Sequence, residues 1–225
     1  VLHVLAHHPS TAKFVCAKLV TRFVSDNPPP ALVDRMAQTF LKKNGDMREV
    51  LKTMFNSPEF WGADAYRAKV KTPLEFVVSA VRASGAEVSD VMPLARQLQT
   101  MGMPLYGMQQ PTGYSMKADA WVNSSALLGR MNFALALTAG KLKRVQVDFN
   151  RMLGASSLPA DAQQTLTVLE NSLLAGDVSK QTHDTIAAQL QDPKISQRRL
   201  DDAARPPNVS AIAGLLLGSP EFQRR

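Results

Sequence analysis

The side chains able to do chemistry are few, and they fall mainly in two places. Three of the four histidines, His3, His7 and His8, lie within the first eight residues. His3 and His7 are four apart, so on a helix they share one face, a spacing that a metal ion can bridge. No third ligand stands close in sequence. The competing role is structural, with His8 beside Pro9 placed to cap a helix, so neither a metal nor any other cofactor is assigned. His183 stands alone on a polar helix face. The single cysteine, Cys16, excludes an internal disulfide. It falls with Ala12, Val15, Leu19 and Phe23 on one apolar helix side and reads as a small buried hydrophobe.

The second place is residues 101–137, MGMPLYGMQQPTGYSMKADAWVNSSALLGRMNFALAL. Here plain amphipathic helix gives way to a loop holding Tyr106, Gln109, Gln110 and Tyr114, followed by Trp121 and Asn123. Rings with polar tips suit contact with carbohydrate or peptide, and they suit plain packing equally well. Tyr106, Tyr114, Trp121, Asn123 and Arg130 are the candidate ligand-binding residues. No catalytic residue can be named. The chain has no H-E-x-x-H, no P-loop, no G-x-S-x-G and no cysteine cluster. The glycines between 102 and 113 lack dinucleotide-loop spacing and follow a helix, not a strand.

A formal charge of +7 admits an anionic partner. The densest basic groups are Arg67/Lys69/Lys71, Lys141/Lys143/Arg144 and Arg198/Arg199. None is interleaved with aromatic rings that could stack on bases, so nucleic acid is not expected. A polysaccharide or other polyanion stays a candidate partner. No run reaches about 18 consecutive apolar residues, so no membrane span is expected.

The elements that must position these groups read as helices almost throughout. A periodic run over 11–25 is ended by Asp26-Asn27-Pro28-Pro29-Pro30, because proline cannot continue a helix and restrains the residue before it. The prolines then open a helix with Val33, Met36, Ala37, Phe40 and Leu41 on one stripe, stopped at Gly45. Asp46 and Glu49 begin another, carrying Met47, Val50, Leu51, Met54 and Phe55. Ser57-Pro58-Glu59-Phe60 signals a short capped helix, and the pattern recurs: residues 50–60, VLKTMFNSPEF, align without a gap with 212–222, IAGLLLGSPEF. Two copies are too few for a solenoid, so this is read as a reused structural device, with an ancient duplication as the alternative.

Thr72-Pro73-Leu74-Glu75 is a full capping box for a helix ending at Gly85. A further helix is predicted over 89–101. Ser124 or Ser125 can cap a long apolar helix to about Ala139, stopped by Gly140. Its narrow polar face makes it central. Val145 to Phe149 alternates, but five residues do not establish a strand, and 141–158 reads as a connector. Helices are predicted over 159–175, 179–190 and 209–217, with a loop over 192–208.

Several long stretches carry a resemblance: HHPSTAKFVCAKLVTRFVSDNPPPALVDRMAQTF, DMREVLKTMFNSPEFW, KVKTPLEFVVSAVRASG, residues 101–137 as quoted, and the terminal LLLGSPEFQRR. Together they resemble the bacterial domain-of-unknown-function family eighteen-hundred over nearly the whole chain, weakest at 141–208. Ser115-Met116 departs from the Pro-Asp-like turn expected there. The resemblance implies the C-terminal part of a longer protein whose N-terminal half carries a Trp-His-Asn-His-type segment, with His8 a candidate to complete a site formed there. It also implies export to the periplasm or beyond, and a partner from a phosphatase/sulfatase-like family encoded nearby. The start at Val1 is read in the same sense, as a fragment or processed product.

The expected fold is therefore all-α, an irregular multi-helix bundle of about ten helices with no significant sheet. It is divided into a main helical domain over 1–140, a connector over 141–158 and a helical segment over 159–225 packed on the main domain. The expected function is a non-enzymatic binding or interaction module of a longer exported bacterial protein. Two alternatives stand beside it: part of a hydrolase-type enzyme whose site is shared with a preceding half, and a polyanion-binding surface.

Overall fold

A computed structural model describes residues 1–153, 162–191 and 209–225. The predicted loop over 192–208, with Arg198 and Arg199, lies outside the described residues, as do 154–161. The fold is all-α, with one two-stranded ribbon among the described residues. Contacts divide the chain into two compact units, one made of 1–70, 115–121 and 224–225, the other of 71–114 and 122–223.

The first unit holds α1 (Leu2–Ala6), α2 (Pro9–Phe23), α3 (Pro30–Lys42), α4 (Met47–Phe55) and α5 (Pro58–Trp61). Its core is built from Ala12, Cys16 and Val20 of α2, Leu32, Met36 and Phe40 of α3, and Val50 and Met54 of α4. The buried stripe of α2 thus runs through Ala12, Cys16 and Val20 at strict i, i+4 steps, while Phe23 is turned partly to solvent. Pro30 opens α3, and Asp46 caps α4 by accepting from the amides of Arg48 and Glu49.

The second unit holds α6 (Pro73–Ala83), β1 (Glu87–Val88), α7 (Met92–Thr100), α8 (Ser124–Thr138), β2 (Val145–Gln146), α9 (Phe149–Leu153), α10 (Ala162–Leu174), α11 (Lys180–Gln191) and α12 (Val209–Leu217). The Thr72/Glu75 capping box forms in both directions. Three details differ from the sequence reading. The helix expected over 89–101 begins at Met92, whose amide bonds the Asp90 carboxylate and so delays entry. The cap of α8 is Asn123, not Ser124 or Ser125: its Oδ1 accepts from the Ala126 amide at 2.9 Å. Val145-Gln146 is a strand, because Glu87 and Val88 pair with it antiparallel.

α8 is the centre of the second unit. Its Phe133, Ala134 and Leu137 share one buried core with Phe76 and Ala80 of α6, Leu166 and Leu169 of α10, and Ile212, Ala213 and Leu216 of α12. Gly214 lets α12 approach α8 closely. A Cβ at that position would stand 2.8 Å from Leu135 Cδ2 and 2.8 Å from Thr138 Oγ1. The end of α8 at Gly140 takes φ +65°, the left-handed conformation that glycine adopts without a Cβ penalty.

The repeated Ser-Pro-Glu-Phe motif forms the same cap twice. Ser57 Oγ accepts from the Phe60 amide at 3.3 Å, and Ser219 Oγ accepts from the Phe222 amide at 3.3 Å. The first copy makes α5, while the second makes a turn instead of a helix. In both, the glutamate reaches another element of its own unit: Glu59 bonds Arg35 of α3 at 2.6 Å, and Glu221 bonds the start of α11.

Candidate ligand-binding cleft

The five residues singled out in the sequence do separate jobs. Tyr106 has φ +57° and a fully exposed side chain. Tyr114 Oη donates to Pro104 O at 2.7 Å and closes the loop on itself. Asn123 is the α8 cap. Arg130, only 1% exposed, donates to Lys71 O at 2.8 Å and to Gln223 Oε1 at 3.4 Å, with its guanidinium 5.4 Å from the Phe76 ring centre. Burial lowers its pKa and the nearby Glu75 opposes that shift. These four belong to the second unit. Trp121 belongs to the first, where it is buried and its Nε1 donates to Ser115 O at 2.9 Å.

A concave site with converging polar groups lies elsewhere in the second unit. One face of α11 supplies Gln181, Thr182, Thr185, Ile186 and Gln189. α8 contributes Met131, α12 contributes Leu215, and Gly218 to Glu221 close the end. The cleft has a volume of about 500 Å³. Residues 182, 185 and 189 recur at helical spacing, so one face of α11 presents hydroxyls and an amide above an apolar floor of Met131, Ile186, Leu215 and Pro220. An apolar lining with a few placed polar groups is the usual composition of a small-ligand site.

Its one charged lining residue among those described, Glu221, is held by the N-terminal turn of α11. Ser179 caps that helix, its Oγ accepting from the Thr182 amide at 3.2 Å. The Ser179 amide donates to Glu221 Oε1 at 3.2 Å, and Thr182 Oγ1 lies 2.9 and 3.0 Å from the two carboxylate oxygens. Burial alone would raise the Glu221 carboxyl. The hydrogen bonds from Ser179 and Thr182, with its own backbone, outweigh burial and hold it below the ordinary carboxylate range. Among the described residues no lysine or arginine forms a salt bridge with it.

The model of the family described as "Protein of unknown function (DUF1800)" matches residues 1–224. The chain belongs to the DUF1800 family. Neither the curated proteins nor the solved structures contain a match to it.

In this DUF1800 chain the histidines are mostly occupied. His7 Nδ1 bonds His3 O at 2.8 Å and its Nε2 meets Asn44 Oδ1, so acceptors face both ring nitrogens. Those contacts, His3 O foremost, raise its pKa and favour the imidazolium, which cannot ligate a metal. His8 Nδ1 accepts from the Ser10 amide and caps α2. His183 is not alone: its Nδ1 lies 2.8 Å from Glu170 Oε1 and joins α11 to α10. Among the described residues no group of three His, Cys, Asp or Glu side chains is gathered for a metal. Burial pushes the Cys16 thiol up to about 11, which suppresses the thiolate.

The basic groups divide likewise. Lys69, 2% exposed, pairs with Asp26. Lys71 Nζ sits 3.9 Å from the Phe222 ring centre, and the Arg67 guanidinium lies over Tyr66. Lys141, Lys143 and Arg144 are exposed. No helix among the described residues is long and apolar enough to cross a membrane. Sequence reasoning passed over the cleft because it is made of ordinary Thr, Gln and Ser. The signal within reach was the recurring Ser-Pro-Glu-Phe, together with polar residues at 182, 185 and 189 on one face of α11.

Proposed function

We propose that this DUF1800 chain is a non-enzymatic helical binding module and that the cleft along α11 is where it takes its ligand. The observation that carries the reading is the gathering of Thr182, Thr185, Gln189 and Glu221 around the apolar floor of one cleft. A floor of this kind supplies affinity by burial, while the hydroxyls and amides fix orientation. The described lining contains no histidine or cysteine to serve as a base or strong nucleophile, and its serines, 179 and 219, are both engaged as caps. Export, a bacterial setting and a phosphatase/sulfatase-like partner belong to the same proposal through the family resemblance.

The test is a ligand-observed NMR screen with a library of small amphiphilic fragments on the parent chain and on Thr185→Trp, whose indole would fill the cleft. Fragments that bind the parent and lose contact with Thr185→Trp support the reading. Fragments that bind both equally, or none at all, overturn it.

Polyanion binding is a second reading, carried by the exposed group Lys141, Lys143 and Arg144. Affinity for heparin that falls as salt rises, and falls further on triple substitution by alanine, supports it. Affinity insensitive to salt overturns it.

A further inference from the structure

Glu221 is an anion fixed in place with no cation opposite it among the described residues. Its carboxylate accepts from the Ser179 amide and the Thr182 hydroxyl. Those donors orient it and keep it charged, but they do not neutralise it. The residue is partly exposed and lines a cleft whose other described walls are neutral. The same cleft is lined by Met131, Ile186 and Leu215, an apolar surface suited to a methylene chain. Pre-orientation by the protein lowers the ordering cost of binding a complementary charge.

We infer that the cleft takes an alkylammonium group, a cationic head at Glu221 on an apolar stem lying against Met131, Ile186 and Leu215. The stem follows the same logic by which lysine buries its methylenes and keeps its charge paired or wet. The head makes a charge-assisted hydrogen bond, stronger than a neutral one. A lysine side chain of a peptide and a free aliphatic diamine share this chemistry. The inference rests on the cleft being the ligand site and adds the ligand class.

The experiment compares probes by chemical-shift titration of the folded chain. The probes are Nα-acetyl-lysine N-methylamide, its uncharged norleucine counterpart, and 1,5-diaminopentane. They are titrated into the parent, Glu221→Gln and Thr185→Trp. The glutamine keeps a carbonyl oxygen for Ser179 and Thr182, so the helix cap survives, and thermal melting checks this. The parent is expected to bind the lysine probe about tenfold more tightly than norleucine, a modest partly exposed charge pairing. Glu221→Gln should erase that ratio while leaving norleucine affinity unchanged, and Thr185→Trp should abolish both. Tighter binding of the lysine amide than of the diamine assigns a peptide source, and the reverse order assigns a free amine. Equal affinity for lysine and norleucine, both lost in Thr185→Trp, overturns the cationic ligand and leaves the cleft standing. A lysine preference that survives Glu221→Gln also overturns it, as does the absence of binding by either cation.

Discussion

Thr182 Oγ1 stands 2.9 Å from one carboxylate oxygen of Glu221 and 3.0 Å from the other, so one hydroxyl spans both. Thr182→Val removes that donor while keeping a similar volume. We expect a loss of about 1.5–3 kcal/mol in urea unfolding at neutral pH, the usual range for a hydrogen bond to a charged group. The Glu221 carboxyl should also titrate closer to its ordinary value. In the parent its pKa is lowered on folding. Its contribution is therefore present above the unfolded carboxyl pKa and is lost as pH falls through the folded value. Thr182→Val should flatten that acid limb. An unchanged limb, with a carboxyl resonance titrating as in the parent, would show that Thr182 does not hold the charge.

Buried Lys69 pairs with the half-buried Asp26 within the first unit. Lys69 Nζ also donates to Met116 O at 2.6 Å, and Asp26 Oδ2 accepts from the Ala118 amide at 2.7 Å. The pair thus fastens residues 115–121 to the helices of that unit. Lys69→Met should cost about 3 kcal/mol, because removing one member strands its partner and the Met116 carbonyl. Adding Asp26→Asn should then cost less than it does in the parent, which denaturant melts on the four-protein cycle would measure. Strict additivity would mean that the two side chains do not act as a pair.

Gly214 faces Leu135 and Thr138 across the α8/α12 contact. A methyl there falls 3.1 Å from the Leu135 backbone Cα, which cannot swing aside as a side chain tip can. Gly214→Ala gains helix propensity of about 1 kcal/mol, yet overpacking should outweigh it and leave a net loss of about 1–2 kcal/mol. Gly129, within α8 and with no atom within 4 Å of its Cβ position, is the control. Gly129→Ala should be neutral or stabilising. A stabilised Gly214→Ala would mean that α8 and α12 separate without cost.

Helix existence was legible because it rests on local rules. Proline stops, the Thr72/Glu75 capping box and apolar stripes act within one or two turns, and α2, α3, α4 and α6 follow them. What depends on a distant partner was not legible. The strand at Val145 exists only through Glu87 and Val88, some sixty residues earlier, and His183 gains Glu170 from a different helix. The assignment of Asn123 over Ser124 or Ser125 turned on one residue of register among three good cap formers. Tyr and Trp drew attention as ligand-binding types, yet Tyr114 and Trp121 spend their polar tips on backbone carbonyls. The cleft, by contrast, is assembled from α8, α11, α12 and the 218–221 turn, none of which announces a site by composition.

Tyr106 and Tyr114, eight residues apart in one loop, should respond differently to substitution. Tyr106 is fully exposed, so Tyr106→Ala removes little packing. Its φ of +57° is strained for alanine and tyrosine alike. Melting of Tyr106→Ala should therefore match the parent within about 0.5 kcal/mol, as for most surface changes. Tyr106→Gly should stabilise by roughly that amount, since glycine adopts a positive φ without penalty. Tyr114→Phe keeps the ring and removes the hydroxyl that bonds Pro104 O. It should cost about 1 kcal/mol and speed proteolysis between Pro104 and Tyr114, because that bond closes the loop. If Tyr106→Ala proves the more damaging of the two, the loop is held by the exposed ring and not by the Tyr114 hydroxyl.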